Sequence, residues 1–268
     1  MRAANSHPFS PTGTLIRRFF CCLALGFIVT RAVADDSAFN HLLGQGEQAG
    51  NSGELPVAMK YYSTGEQWAA GNVTNWCGLT KAYCNLMRDT QSPAMQKLLA
   101  QKALASAQAA KKADPRNAVA HVCLAICYAK NFPYVGNQTR VIYSRLIKTE
   151  SERAIELDPR QDIAYYLLGR WNYGVANLNF IYKGLVRIIY GGLPFASNAQ
   201  AIKDLQQAAG INPARIIHHE ELARVYAAIG QKKLAREELE TCARLKPLDP
   251  DDADAQSDAA KELSDLSN

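Results

Sequence analysis

The chain has 268 residues, 48% of them apolar, which is enough for one large domain or two small ones around a buried core. Of its formal charge of +5, four charges lie in the first 34 residues, which hold Arg2, Arg17, Arg18 and Arg31 and no acid; the rest sets 26 basic residues against 25 acidic ones. A body so near neutrality argues against a broad electrostatic surface, so no nucleic-acid partner is expected.

From the N-terminus, Arg17 and Arg18 precede an apolar run from Phe19 to Val29, and Ala32-Val33-Ala34 supplies small residues before Asp35. Basic, apolar and small residues in that order form an export signal. The run is 11 residues long, whereas a spanning helix needs about 20. Residues 1–34 are therefore predicted to be a signal peptide cleaved near Ala34, leaving an exported chain, periplasmic or secreted. The alternative is an uncleaved N-terminal membrane anchor.

The remaining sequence repeats itself. GQGEQAG at 44–50 has the wrong glycine spacing for a dinucleotide loop and reads as the irregular end of a first helix. Ala58 and Tyr62 belong to its partner helix. Trp76, Leu79, Thr80 and Tyr83 set out a further first helix. Pro115 is followed by His121, Leu124, Ala125 and Tyr128, and Pro159 by Tyr165, Leu168 and Gly169. Ala201, Leu205, Ala208 and Pro213 fit a second helix. His219, Leu222, Ala223 and Tyr226, then Gly230, Ala235, Leu239, Cys242 and Pro247, complete one full unit. Large residues at these offsets fill a helix–helix seam. Small ones mark where the helices cross closely, and the proline ends each pair. The offsets are those of the tetratricopeptide pattern. The fold class is therefore all-α: a tetratricopeptide-like α-solenoid of about five helical hairpins across 35–268, closed by a C-terminal capping helix near 250–266. Asp249, Asp251 and Asp252 charge the start of that last helix.

The period is uneven. Pro213 to Pro247 spans 34 residues, Pro115 to Pro159 spans 44 and Pro159 to Pro213 spans 54. The longest unit holds an inserted helix near 178–190. Its Phe180, Ile181, Leu185, Ile188 and Ile189 form an apolar contact surface for a partner or a membrane.

From residue 138 onward these irregularities look familiar. IYSRLIKTESERAIELDPRQDIAYYLLGRWNYGVANLNFI, then GGLPFAS and AIKDLQQAAGINP, resemble the regulator of microtubule dynamics family, with LLGRW at 167–171 the most specific stretch. The resemblance implies an all-helical solenoid, no catalysis, association with microtubules in animals, and in some members an N-terminal hydrophobic anchor to organelle membranes. No motif here maps onto a microtubule-contacting residue.

The chemistry agrees with a non-enzyme. There is no GxSxG, GxxxxGK[ST] or HExxH, and no cofactor or metal is expected. His219 occupies the large packing position of its repeat and should point inward, with His218 on another face. The cysteines after the leader, Cys77, Cys84, Cys123, Cys127 and Cys242, read as small buried residues. First helices of such a superhelix line its concave face. The residues one past the large position, and four and seven further on, then face the groove: Lys81, Val122, Ile126, Tyr166, Arg170, Tyr173, Glu220 and Arg224. Lys81, Arg170 and Arg224 suggest a cationic ladder for a partner's carboxylates. The expected function is a scaffold that binds a peptide or protein segment in this groove. The alternatives are a microtubule-associated or membrane-tethering adaptor and a carrier of an apolar ligand.

Overall fold

The structure is a computed structural model that describes residues 36–265; the leader lies outside the described residues. Among the described residues every regular element is helical. Contacts divide the chain into two units, Met1–Ala69 and Ala70–Asn268.

In the first unit, α1 (36–51) is followed by α2 (Leu55–Trp68). GQGEQAG is not the irregular end of a helix, because residues 44–50 are helical throughout. The reason is packing: Gly46 lies under the Tyr62 ring of α2, where a Cβ would overlap it.

The second unit is a series of helical hairpins. α3 (Val73–Asp89) packs on α4 (Pro93–Ala113), and α5 (Ala118–Asn131) on α6 (Asn137–Leu157). α7 (Asp162–Ala176) is followed by the inserted α8 (Phe180–Tyr190) and packs on α9 (Asn198–Ile211). α10 (Ile216–Ala228) packs on α11 (Lys232–Arg244), and α12 (Pro250–Asp265) covers both.

Local chemistry sets where these helices begin. The Asn72 Oδ1 accepts from the Thr74 N–H at 2.9 Å to open α3, and Asn117 does the same for Ala120 at 3.1 Å to open α5. Each such cap is worth about 1 kcal/mol. The repeated Asp-Pro-Arg builds one turn twice. The carboxylates of Asp114 and Asp158 accept from the N–H of Arg116 and Arg160, both at 2.9 Å.

Small residues sit where the repeat requires them. Ala125, Ala201, Ala208, Ala223 and Ala235 are completely buried. At Gly169 a Cβ would stand 2.5 Å from the Leu205 Cγ and 3.1 Å from the Ala201 carbonyl oxygen, so only hydrogen fits between α7 and α9. The rest of LLGRW is explained by its neighbours. Leu167 joins a cluster with Val122 and Ala154. The Trp171 indole N–H donates to the Ser144 hydroxyl of α6 at 3.0 Å. Next in line, the Asn172 amide donates to Asp204 of α9 at 2.9 Å.

Arg145 of α6 holds the end of the insert. Its guanidinium donates to the carbonyl oxygens of Tyr190 and Gly192, the latter at 2.6 Å. No helix among the described residues is long and apolar enough to cross a membrane.

Candidate functional site

The first helices of the second unit share a groove of about 1360 Å³. Lys81 of α3, Val122 and Ile126 of α5, Tyr166 and Arg170 of α7, and Glu220 and Arg224 of α10 all line it. Tyr173 does not. It turns into the seam with α9 and α10 and packs beside Ile202, Leu205 and Val225. Gly174 and Leu178 take the lining at that end of α7.

The inserted helix divides its apolar residues between two faces. Tyr182, Leu185, Val186 and Ile189 fall at helical spacing on one side and form a wall of the groove. Phe180, Ile181 and Ile188 lie outside that wall and are 82%, 59% and 83% exposed. The single contact surface expected from sequence is therefore two surfaces, because the five residues spread over about half the circumference of the helix.

The groove's arginines are already paired. Glu220, which lines the groove, and the adjacent Glu221 are both buried. The Arg224 guanidinium donates to both, with Glu221 at 2.7 Å, and reaches Glu262 of α12 at 3.7 Å. The Arg170 Nε lies 3.2 Å from Glu221, and its guanidinium stacks 5.6 Å from the Tyr166 ring centre. A free ladder of three cations is thus not formed. Buried carboxylates need partners, and these arginines are the ones in reach. Lys81 alone of the three is exposed without an ion pair among the described residues. α12 adds Asp251, Asp254 and Asp258 to the lining, and its start lies beside α3, where Arg88 is 3.6 Å from Asp251.

Burial leaves its mark here. It pushes the Glu220 carboxyl up to about 7, with Arg224 opposing and the neighbouring Glu221 and Glu262 adding to the rise. Burial likewise lifts the Tyr166 phenol to about 12.

The histidines act as struts. His219 is mostly buried, as its packing position requires. Its Nδ1 is 2.7 Å from Glu238 of α11 and its Nε2 3.1 Å from the Pro213 carbonyl. His121 repeats the arrangement, 2.5 Å from Glu150 and 2.9 Å from the Pro115 carbonyl. A histidine six residues after a proline in both units was the sequence signal for this pair. His218 is more deeply placed than its neighbour: it is completely buried, with Nε2 2.9 Å from Asp162. Burial works against charge on Asp162, yet hydrogen bonds from His218 and Asn212 outweigh it and hold its carboxyl below the usual range. Asp249 caps α12 through the Asp252 N–H at 3.1 Å. Asp252, by contrast, is completely buried and accepts from the Ile217 and Leu248 N–H groups at 3.2 and 3.1 Å, tying α12 to α10.

Residues 40–267 match the family model described as regulator of microtubule dynamics protein 1-3. The chain belongs to the regulator of microtubule dynamics family. Regulator of microtubule dynamics protein 3 of Xenopus laevis is 27% identical over 182 residues, spanning 66% of this chain and 38% of the frog protein. Regulator of microtubule dynamics protein 1 of Mus musculus is 26% identical over 141 residues, 52% of this chain and 46% of the mouse protein. The chain thus spans less than half the length of these two curated relatives. Among solved structures, a thermophilic TPR protein of Thermus thermophilus superposes with a TM-score of 0.57 at 16% identity, covering 83% of this chain and 99% of that one. At that identity the likeness is one of fold: this member of the family is a tetratricopeptide-like α-solenoid.

Proposed function

We propose that this chain is a non-enzymatic interaction scaffold whose groove holds a segment of a protein partner. The observation that carries the reading is the groove itself. Consecutive first helices and the inserted α8 bring Val122, Ile126, Leu185 and Ile189 to one concavity, with Lys81 of α3 and the α12 carboxylates also in its lining. The chemistry that fits is an extended or helical segment with apolar side chains, an acidic group toward Lys81 and a basic group toward Asp254. Extended or helical segments laid into preformed grooves are a recurrent recognition mode. The leader supports export, after cleavage near Ala34, as the route by which the chain meets this partner.

The test is a selection of peptides from a displayed library, followed by titration of the winners. Lys81→Glu and Ile189→Glu, both at exposed positions, should each weaken binding by roughly tenfold or more, about 1.4 kcal/mol. Ile188→Ser on the other face of α8 should leave it unchanged. Undiminished binding by both groove variants rejects the assignment. Lipid recovered with the purified chain in place of peptide binding would favour an apolar-ligand carrier.

A second reading rests on the outward face of α8. Phe180, Ile188 and the neighbouring Phe195 are 82%, 83% and 88% exposed, and Lys183 and Arg187 lie on the same helix. Aromatic and aliphatic tips with basic residues alongside suit a membrane interface. Flotation with anionic vesicles tests it, and Phe180→Ser with Ile188→Ser should abolish any binding. The family's name motivates a third assay, co-sedimentation with polymerised tubulin, in which pelleting would favour the cytoskeletal adaptor.

A further inference from the structure

Four cysteines lie on the adjoining helices α3 and α5, and three of them, Cys77, Cys84 and Cys123, line the groove. On α3, Cys77 and Cys84 are seven positions apart, two turns along one face; on α5, Cys123 and Cys127 are four apart, one turn. α3 and α5 pack directly on each other, and the Cys77 pKa is lowered chiefly by Cys123 and the Cys84 pKa chiefly by Cys127. The numbering rises together in both pairs, as parallel helices require, with axial spans of about 10 Å on α3 and about 6 Å on α5. Cys77 and Cys123 are half-buried and open to the groove, whereas Cys84 and Cys127 are buried. Cys242 stands apart on α11, with its thiol directed at the Ile216 carbonyl at 3.8 Å.

Reading all five as small buried residues accounts for Cys127 and Cys242. It does not account for two half-buried thiols on adjoining helices beside a cavity. At comparable crossings this chain uses alanine, as at Ala125 and Ala223. A disulfide needs two Cβ vectors converging from backbones close enough to allow an S–S bond of about 2.05 Å. Cysteines on directly packed helices meet the first of these requirements, neighbouring backbones.

We propose that Cys77–Cys123 and Cys84–Cys127 are disulfide-forming pairs that staple α3 to α5 along the groove wall, the outer pair closing first. The oxidant is a small disulfide such as oxidised glutathione, which enters through the groove. The Cys77 thiolate attacks one glutathione sulfur; the glutathione S–S bond breaks and one glutathione leaves as thiolate. The Cys123 thiol releases its proton to solvent and attacks the Cys77 sulfur, expelling the second glutathione. Two protein thiols are oxidised, and one glutathione disulfide is reduced to two thiols. Cys123 lowers the Cys77 pKa against the opposing effect of burial, which suits Cys77 to attack first. The same exchange at Cys84 and Cys127 is slower because the groove reaches Cys84 alone of that pair. Disulfides persist in oxidising compartments, the setting an exported chain meets.

The full-length chain is equilibrated in glutathione buffers from reducing to oxidising, quenched by alkylation, digested without reduction and read by mass spectrometry. The expected map shows a Cys77–Cys123 linked peptide at the mildest oxidising ratio and a Cys84–Cys127 link at stronger ones. The thermal midpoint should rise by roughly 5–15 °C between the two ends of the series, since each link closes a long loop in the unfolded chain. Cys77→Ser should remove the first link only, and Cys84→Ser the second only. The map of the unsubstituted chain decides the matter. Four freely alkylated thiols at the oxidising end, or links in any other combination, would overturn the proposal.

Discussion

Gly169→Ala is the sharpest probe of the close helix crossing that organises this fold. The added methyl would lie 2.5 Å from the Leu205 Cγ, 2.8 Å from its Cδ2 and 3.1 Å from the Ala201 carbonyl oxygen. Leu205 is completely buried and the Ala201 oxygen belongs to the α9 backbone, so neither can yield cheaply. Overpacking of this kind costs about 1–3 kcal/mol. Removing a glycine from a helix interior returns about 1 kcal/mol. The net expectation is a loss of about 1 kcal/mol. Gly174 supplies the control on the same helix: nothing lies within 4 Å of its missing Cβ, so Gly174→Ala should stabilise by about 0.5–1 kcal/mol. The two alanines should therefore separate by about 2 kcal/mol in urea unfolding followed by far-UV circular dichroism at constant m. Leu205→Ala should cost about 2–5 kcal/mol alone but less when combined with Gly169→Ala, since the new methyl occupies part of the vacated space. Equal stabilisation by Gly169→Ala and Gly174→Ala would refute the close-crossing argument.

Glu220 makes stability depend on pH. Its folded pKa of about 7 lies above the ordinary 4.5, so the folded chain keeps a proton that the unfolded chain has released, and stability falls as pH rises across that window. The groups facing it are Glu221 and Arg224 on its own helix, Tyr166 on α7, Cys242 on α11 and Glu262 on α12. Glu220→Gln should flatten the dependence by about 1–3 kcal/mol between the two values, read as the wild-type-minus-variant difference in urea midpoints. For His219, burial alone would lower the pKa, and the Glu238 hydrogen bond reverses this; an NMR titration should show Glu238→Gln bringing it down. Asp252→Ala leaves the Ile217 and Leu248 N–H groups without their acceptor and should cost about 2–4 kcal/mol. Hydrogen exchange should rise first across 250–265, and unchanged protection there would show that α12 is held by other contacts.

The hairpins are legible in the sequence because helix crossings demand small residues at fixed offsets, and Ala125, Gly169, Ala223 and Ala235 occupy them. The inserted helix, expected near 178–190 and found at Phe180–Tyr190, is legible from its apolar run and its Gly-Gly stop. Groove placement follows from helical spacing for all the expected residues except Tyr173, where the approach of α9 and α10 half-buries a position that spacing alone turns to the groove. What periodicity cannot convey is which side chains meet across elements far apart in sequence. Arg170 with Glu221, His218 with Asp162, and Cys77 with Cys123 are partnerships of three-dimensional register, and no single helix encodes them. GQGEQAG misleads for a related reason, since a glycine chosen for close approach looks, in one dimension, like a glycine chosen for a turn.

The central claim is that the concave face of the second unit receives a partner segment. Hydrogen exchange of the chain with and without a library-selected peptide tests it most directly. New protection confined to α3, α5, α7 and the inner side of α8 is the predicted result. Protection on the outer helices α4, α6 and α11 instead, or none anywhere, would contradict it.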